Sequence, residues 1–344
     1  ERAEPELQGP AQVAWLDRLE REHDNFRAAL AWAQAHPRTE AERGLRLAAA
    51  LEPFWLSRGH LSEGRAWTEG LLDVAALHQA GGAGTHGEVP AAVWARALKA
   101  AGWLALFTGE DYGPSAALLE AAVASARAAG DLRTTAIALD GLDAVAYFQG
   151  DLTRWSALRL EESLALAREA GSLGDVALIL SHLGETLLHQ GDLARATALS
   201  EEALTLARRA GELQAEVNTL CILAQLARRR GELPTALALQ RQGLAMARAL
   251  GNPRRVANTL EYLVNVVGAA GHGEQAARLL GAATALRETI GAPRPLMERA
   301  MTEQAVADAR AALGEEAWAA AFAAGQALSL EEAIAEALDD TAGR

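Results

Sequence analysis

The chain has 344 residues, half of them hydrophobic and 22% charged, with a net charge of −13. That apolar content supports a large core and excludes a disordered chain, and the acidic balance excludes the basic face that a direct nucleic-acid binder uses. The single cysteine, Cys221, excludes a disulfide framework or a cysteine-based zinc site; there is no charge-free apolar run long enough for a membrane span, and "ERAEPELQGP" at the N-terminus is unlike a signal peptide, so a cytoplasmic protein is expected.

The first predicted element is a helix over about 11–36. A degraded repeat follows at about 40–80, where Gly59 opens "GHLSEGRAWTEGLLDVA", and a loop, "QAGGAGTHGEVP" (79–90), comes after it. From there the chain is periodic. Gly109, Gly150, Gly191, Gly231 and Gly271 are 41, 41, 40 and 40 residues apart, and Gly130, Gly171, Gly211, Gly251 and Gly291 form a second series spaced 41, 40, 40 and 40. Two interleaved series mean two helices per unit, each closed by a glycine at the position after a helix where φ is usually positive. The units run over about 40–80, 90–130, 131–171, 172–211, 212–251 and 252–291, and the closing segment is helical over about 293–339. Three parts are therefore expected: an N-terminal capping and linker segment (1–39), six repeats (40–291), and a C-terminal helical cap and tail (292–344).

Inside a unit the apolar spacing is helical: Ala196, Leu199, Ala203 and Leu206 share one stripe, with Glu201, Glu202, Arg208 and Arg209 on other faces. Acidic residues directly after a turn glycine (Asp131, Asp151, Asp192, Glu212, Glu232) suit the start of the next helix, by capping or by complementing its dipole. A lone helical pair cannot bury its stripe, whereas stacked neighbours can. The expected fold is therefore all-α, a right-handed superhelical solenoid of antiparallel helix pairs whose first helices line a concave face.

Two ladders of residues follow from aligning those first helices on their turn glycines. One reads Lys99, Asp140, Ser181, Cys221, Glu261; the other reads Trp103, Ala144, Glu185, Gln225, Asn265, with Asn218 and Asn258 one turn earlier. Varied polar groups beside an aromatic are what a ligand or peptide groove needs, although a merely solvated face would also carry polar residues. A ligand in this groove is expected to touch Trp103, Asp140 and Glu185 together and to be positive or neutral. Thirteen of the sixteen aromatics lie in 1–155; they form a pocket or docking surface, or fill gaps between degraded repeats, with Trp103 expected to be partly exposed. Catalytic motifs are absent, and His182 and His189, seven residues apart, have no third metal ligand, so neither an enzyme nor a metal site is expected. Glu161-Glu162 and Glu201-Glu202 read as a solvated face, and "RRR" at 228–230 as a solvated turn.

In "LSHLGETLLHQGDLARATALSEEALTLA", Leu183-Gly184, Leu187, Gly191, Ala196 and Ala203 fall where the tetratricopeptide repeat packs its helices, and the chain resembles that family. The period of 40 rather than 34, and the missing closing proline, resemble the longer-helix variant of MalT-like regulators. The flanks, "GPAQVAWLDRLEREHDNFRAALAWA" (9–33) and the segment 276–338 that opens "AARLLGAATALRETIGAPRP" and closes "ARAALGEEAWAAAFAAGQALSLEEAIAEAL", resemble segments of large bacterial signal-transduction ATPases, many of them LuxR- or AfsR-type transcriptional regulators. The resemblance implies a sensor domain that binds a small inducer or a partner protein or peptide and acts on an ATPase module of the same full-length chain. No P-loop and no evident helix-turn-helix is present, so no cofactor is expected here, ATP belonging to a missing upstream domain, and direct nucleic-acid or membrane contact is not expected. A stand-alone tetratricopeptide scaffold is the alternative.

Overall fold

The structure, a computed structural model, describes residues 1–80, 89–109, 111–151 and 157–339, the side chains of residues 79, 80 and 301 excepted. The expected loop at 79–90 falls largely outside these residues, as do Trp155 and the helix start expected after Asp151. Every regular element among the described residues is helical. Contacts divide the chain into two compact units, Glu1–Ile179 and Leu180–Arg344.

The first unit begins with a short 3-10 turn, Pro5–Gln8, and continues through α1 (Gln12–Arg21), α2 (His23–Ala35), α3 (Pro37–Arg58), α4 (Leu61–Ala80), α5 (Ala91–Thr108), α6 (Gly113–Ala129), α7 (Leu132–Gln149) and α8 (Ala157–Ala170). Helix α9 (Leu173–Gln190) runs from the first unit into the second. There follow α10 (Leu193–Ala210), α11 (Leu213–Arg229), α12 (Leu233–Leu250), α13 (Pro253–Ala269), α14 (Gly273–Ile290), α15 (Leu296–Leu313), α16 (Glu315–Gln326) and α17 (Leu330–Leu338). The single helix expected over 11–36 is two helices, because the backbone at Glu22 leaves helical geometry (φ −96°, ψ 5°). The paired arrangement comes from α3/α4 onward, with close packing in the pairs α5/α6, α7/α8, α11/α12 and α13/α14.

The glycine series is a series of helix ends. Nine of its ten members have positive φ; Gly109, at φ −117°, does not, and α5 ends there in extended backbone. At Gly130, for example, Asp131 N–H bonds Ala126 O at 2.9 Å and Gly130 N–H bonds Arg127 O at 3.2 Å, the double closure of a Schellman motif. The acidic residue after the glycine then starts the next helix: Asp131 and Asp192 accept from the backbone N–H groups of Thr134 (2.9 Å) and Arg195 (3.2 Å), and Glu212 from that of Ala215. Glu232 makes no such cap.

Packing between paired helices rests on small residues. On α10 the fully buried stripe is Ala196, Ser200, Ala203 and Ala207, with Leu199 and Leu206 half-buried beside it, so the stripe is narrower and smaller in volume than the leucine spacing implies. A Cβ at Gly184 would stand 2.6 Å from Ser200 Oγ, which shows how closely α9 and α10 approach. In the second unit Val217, Leu244, Val256, Leu260, Leu263 and Leu279 build a core that the closing helices complete through Trp318 and Ile334.

Candidate functional site

The two ladders sit deeper than a groove wall. Asp140, Ser181, Cys221 and Glu261 are buried, and Lys99, largely buried, is ion-paired with Glu52. These positions meet neighbouring helices: Lys99 reaches Glu52 of the preceding pair, and the two in the second unit face the second helix of their own pair. Cys221 Sγ faces Gly243 of α12, and Glu261 meets Arg287 of α14. The second ladder is buried at Gln225 and Asn265 and half-buried at Glu185. Trp103, expected to be partly exposed, is only 8% exposed: it stacks on Phe107 (ring centroids 5.8 Å apart) and packs against Gly141 of α7. With Asp140 at 1% exposure, two of the three groups expected to share one ligand are shut inside the first unit.

In the second unit the polar ladder residues form a buried seam. Helix α13 is covered on all sides from Val256 to Val267 and still carries Asn258, Thr259, Glu261 and Asn265. Asn218 Nδ2 lies 3.1 Å from His182 Nε2, and Asn258 Nδ2 donates to Glu298 Oε1 at 2.7 Å. Arg287 binds both oxygens of Glu261 at 2.7 Å and donates to Glu298 Oε2 at 3.0 Å. Arg294 adds a contact to Glu261 at 3.5 Å and donates to the Glu298 carbonyl at 3.0 Å. Among the described residues, Gln225 Nε2, Asn258 Oδ1 and Asn265 Oδ1 are buried without a hydrogen-bond partner. An unpartnered buried polar atom costs about 1–3 kcal/mol, and these three lie on two adjacent first helices of the second unit.

Burial controls the electrostatics. It pushes Glu298 up to about 7 against the pull of Arg287, with Glu261 adding to the rise. Burial opposes the charge of Arg287, yet Glu261 and Glu298 hold its pKa above the ordinary value. The Cys221 thiol is pushed up to about 12 by burial, which leaves it unreactive as a nucleophile, and burial lowers His189 to about 4. In this seam the buried Arg287 offsets Glu261 and Glu298. The acidic middle expected of the groove rested on Asp140 and Glu185, of which Asp140 is buried and Glu185 half-buried.

Arg287 was nevertheless legible. Four residues before successive helix-ending glycines stand Ala126, Ala167, Ala207 and Ala247, all fully buried, and the fifth position is Arg287. A large cation in a buried-alanine register requires carboxylates opposite. The expected surface features are surfaces: Glu161, Glu162, Glu201 and Glu202 are exposed, as are Arg229 and Arg230, while Arg228 is half-buried. A cleft of about 330 Å³ lies elsewhere in the second unit, lined by Glu274, Arg278, Leu313 and four alanines of α16, but Arg278 is already held by both oxygens of Glu336. No helix among the described residues is long and apolar enough to cross a membrane.

The molecule is thus an α-helical repeat protein of the solenoid type, with its polar chemistry inside the repeats. Residues 175–249 match the tetratricopeptide repeat, an interaction fold. Two proteins named as HTH-type transcriptional regulators, from Mycobacterium bovis and Mycobacterium tuberculosis, are 42% identical to this chain over 82 residues, 24% of its length. That stretch spans only 8% of each relative.

Proposed function

We propose that this chain is the sensing and interaction domain of a multidomain transcriptional regulator, and that the seam of α9, α11, α13 and α15 takes a small polar inducer or a polar segment of a partner protein. The seam carries the reading: Gln225 and Asn265 sit in successive first helices, buried and short of hydrogen-bond partners, in a fold whose relatives serve interaction. Similarity to HTH-type regulators supports the regulatory half. The reading includes an ATPase module on the same full-length chain as the element that responds, through a population shift that needs different ligand affinities for its two states. Catalysis is no part of it.

A screen of polar metabolites against the chain, read as a rise in melting temperature, tests the proposal, because a ligand that binds only the folded form stabilises it. The expected result is a hit whose shift disappears in Gln225→Leu and Asn265→Leu while both variants melt no lower than the parent. A hit that survives both substitutions would place binding elsewhere and overturn the seam.

A further inference from the structure

The sequence alone points to no metal, since His182 and His189 lack a third ligand. The structure brings together a different set. Glu20 stands at the end of α1, His23 three residues on at the start of α2, and His60 in the turn between α3 and α4. One donor atom from each of the three lies within 4.8 Å of the others. The two imidazole rings are tilted, with centroids 4.3 Å apart, and His60 Nε2 is 3.0 Å from Glu20 Oε1. We propose that Glu20, His23 and His60 form a binding site for one divalent d-block cation, with zinc the ion that suits it best.

Three observations carry this beyond a chance meeting of polar groups. His23 is buried, and its Nε2 makes no hydrogen bond although Glu63 Oε1 is 3.2 Å away. Phe54 stands edge-on to the His23 ring and flanks His60, an apolar wall that fixes the rings and keeps water off one side. The neighbouring carboxylates are also sorted. Asp17 is taken by Arg58 at 2.5 Å and Glu63 by Arg27 at 2.6 and 2.7 Å, whereas Glu20 is bound by no arginine and faces His60.

The donor set selects the ion. Two imidazoles and a carboxylate match the three-ligand sets that zinc takes, with a fourth position left for solvent, whereas magnesium and calcium prefer all-oxygen shells. Zinc–nitrogen and zinc–oxygen bonds of about 2.0–2.2 Å put tetrahedral donors roughly 3.4 Å apart. The present spacing reaches that by rotation of the Glu20 and His60 side chains, both of which are open to solvent. Bound there, zinc would tie α1 and α2 to the first helical pair.

The test uses the whole chain, free of any affinity tag and stripped with a chelator, titrated with zinc alone by calorimetry and with cobalt by visible absorption. The expected result is one zinc per chain, a cobalt spectrum of tetrahedral type, and a rise in melting temperature. Glu20→Gln and His60→Ala, both at solvent-accessible side chains, should each weaken zinc binding on the order of 100-fold with an unchanged circular dichroism spectrum. His36→Ala, at an exposed histidine outside the cluster, should bind zinc as the parent does. No zinc uptake by the stripped chain overturns the proposal. So does uptake that Glu20→Gln and His60→Ala leave intact, which would locate the ion elsewhere.

Discussion

The two compact units fill the interiors of similar helices in different ways. In the first, Phe54, Trp55, Trp103 and Phe107 are buried, and most of the chain's aromatics belong to this part. In the second, Asn218, Gln225, Asn258, Glu261, Asn265, Arg287 and Glu298 are buried; the first also buries Glu52, Asp140 and Asp143, so the difference is one of degree. Aromatic rings seal an interior by area and shape and ask for few polar partners. Amides and ion pairs must be satisfied one by one, and three of those in the second unit are not. The difference shows that a helical repeat fixes the spacing of helices without fixing what fills the space between them. A repeat array can therefore be structural in one stretch and receptive in another.

The largest effect that would sharpen this contrast is at Arg287. Arg287→Ala restores the alanine that four earlier repeats carry at this register, yet it strips two buried carboxylates of their cation. A destabilisation of about 3–5 kcal/mol is expected, read by urea denaturation. Adding Glu261→Gln and Glu298→Gln should return most of it, because the loss comes from uncompensated charge and not from lost volume. If Arg287→Ala alone proves as stable as the parent, the ion-pair cluster contributes nothing, and the second unit is filled no differently from the first.

The legible part of this molecule follows from local rules. Turn glycines need left-handed backbone, and acidic residues after them cap the next helix; both rules act within five residues, so the helical pairs can be drawn from the sequence. Gly109 escapes because α5 ends in extended backbone, a choice no neighbouring residue announces. The site was harder because burial is decided between helices. The ladder residues are largely buried, since a period of 40 gives each residue's order along the array and not which neighbouring helix its side chain meets. Trp103 is closed over by its stack with Phe107 and by Gly141. His23 and His60 are 37 positions apart and meet only because the 22-residue α3 runs back past α2. The one long-range feature that could be read in advance was Arg287, as a break in a column of alanines.

A second, smaller effect concerns pH. Glu298 faces Glu261 of α13, Arg287 of α14 and Arg294 from the segment before α15, with Glu185 of α9 also raising its pKa. Burial lifts it to about 7, above its ordinary value of 4.5. Between those values the folded chain keeps a proton that the unfolded chain has given up. The associated stability is therefore fully present below about pH 4.5 and is lost as pH rises through about 7. Melting temperatures at pH 5 and pH 8 should show the parent falling relative to Glu298→Gln, which has no proton to lose. Parallel behaviour of the two would mean that Glu298 is ionised throughout and that Arg287 outweighs burial.

The smallest expected effect has the opposite sign, and it separates a receptive interior from a structural one most directly. Asn265 is buried in α13 and its Oδ1 has no partner, while the side chain is close in shape to leucine. If the amide existed to hold the fold, removing it would cost stability. If it is kept for a ligand, the unliganded chain carries an uncompensated acceptor, and Asn265→Leu should stabilise it by about 1 kcal/mol in urea denaturation. The matching change in the first unit is Trp103→Phe, which keeps an aromatic filler and removes an indole N–H that likewise has no partner. There the lost ring volume opposes the gain from the removed donor, and no net stabilisation is expected. A clear gain for Asn265→Leu beside none for Trp103→Phe would show that the seam amide of the second unit is held at a cost to the fold. A loss at Asn265 would make the seam a structural network and remove its claim to a ligand.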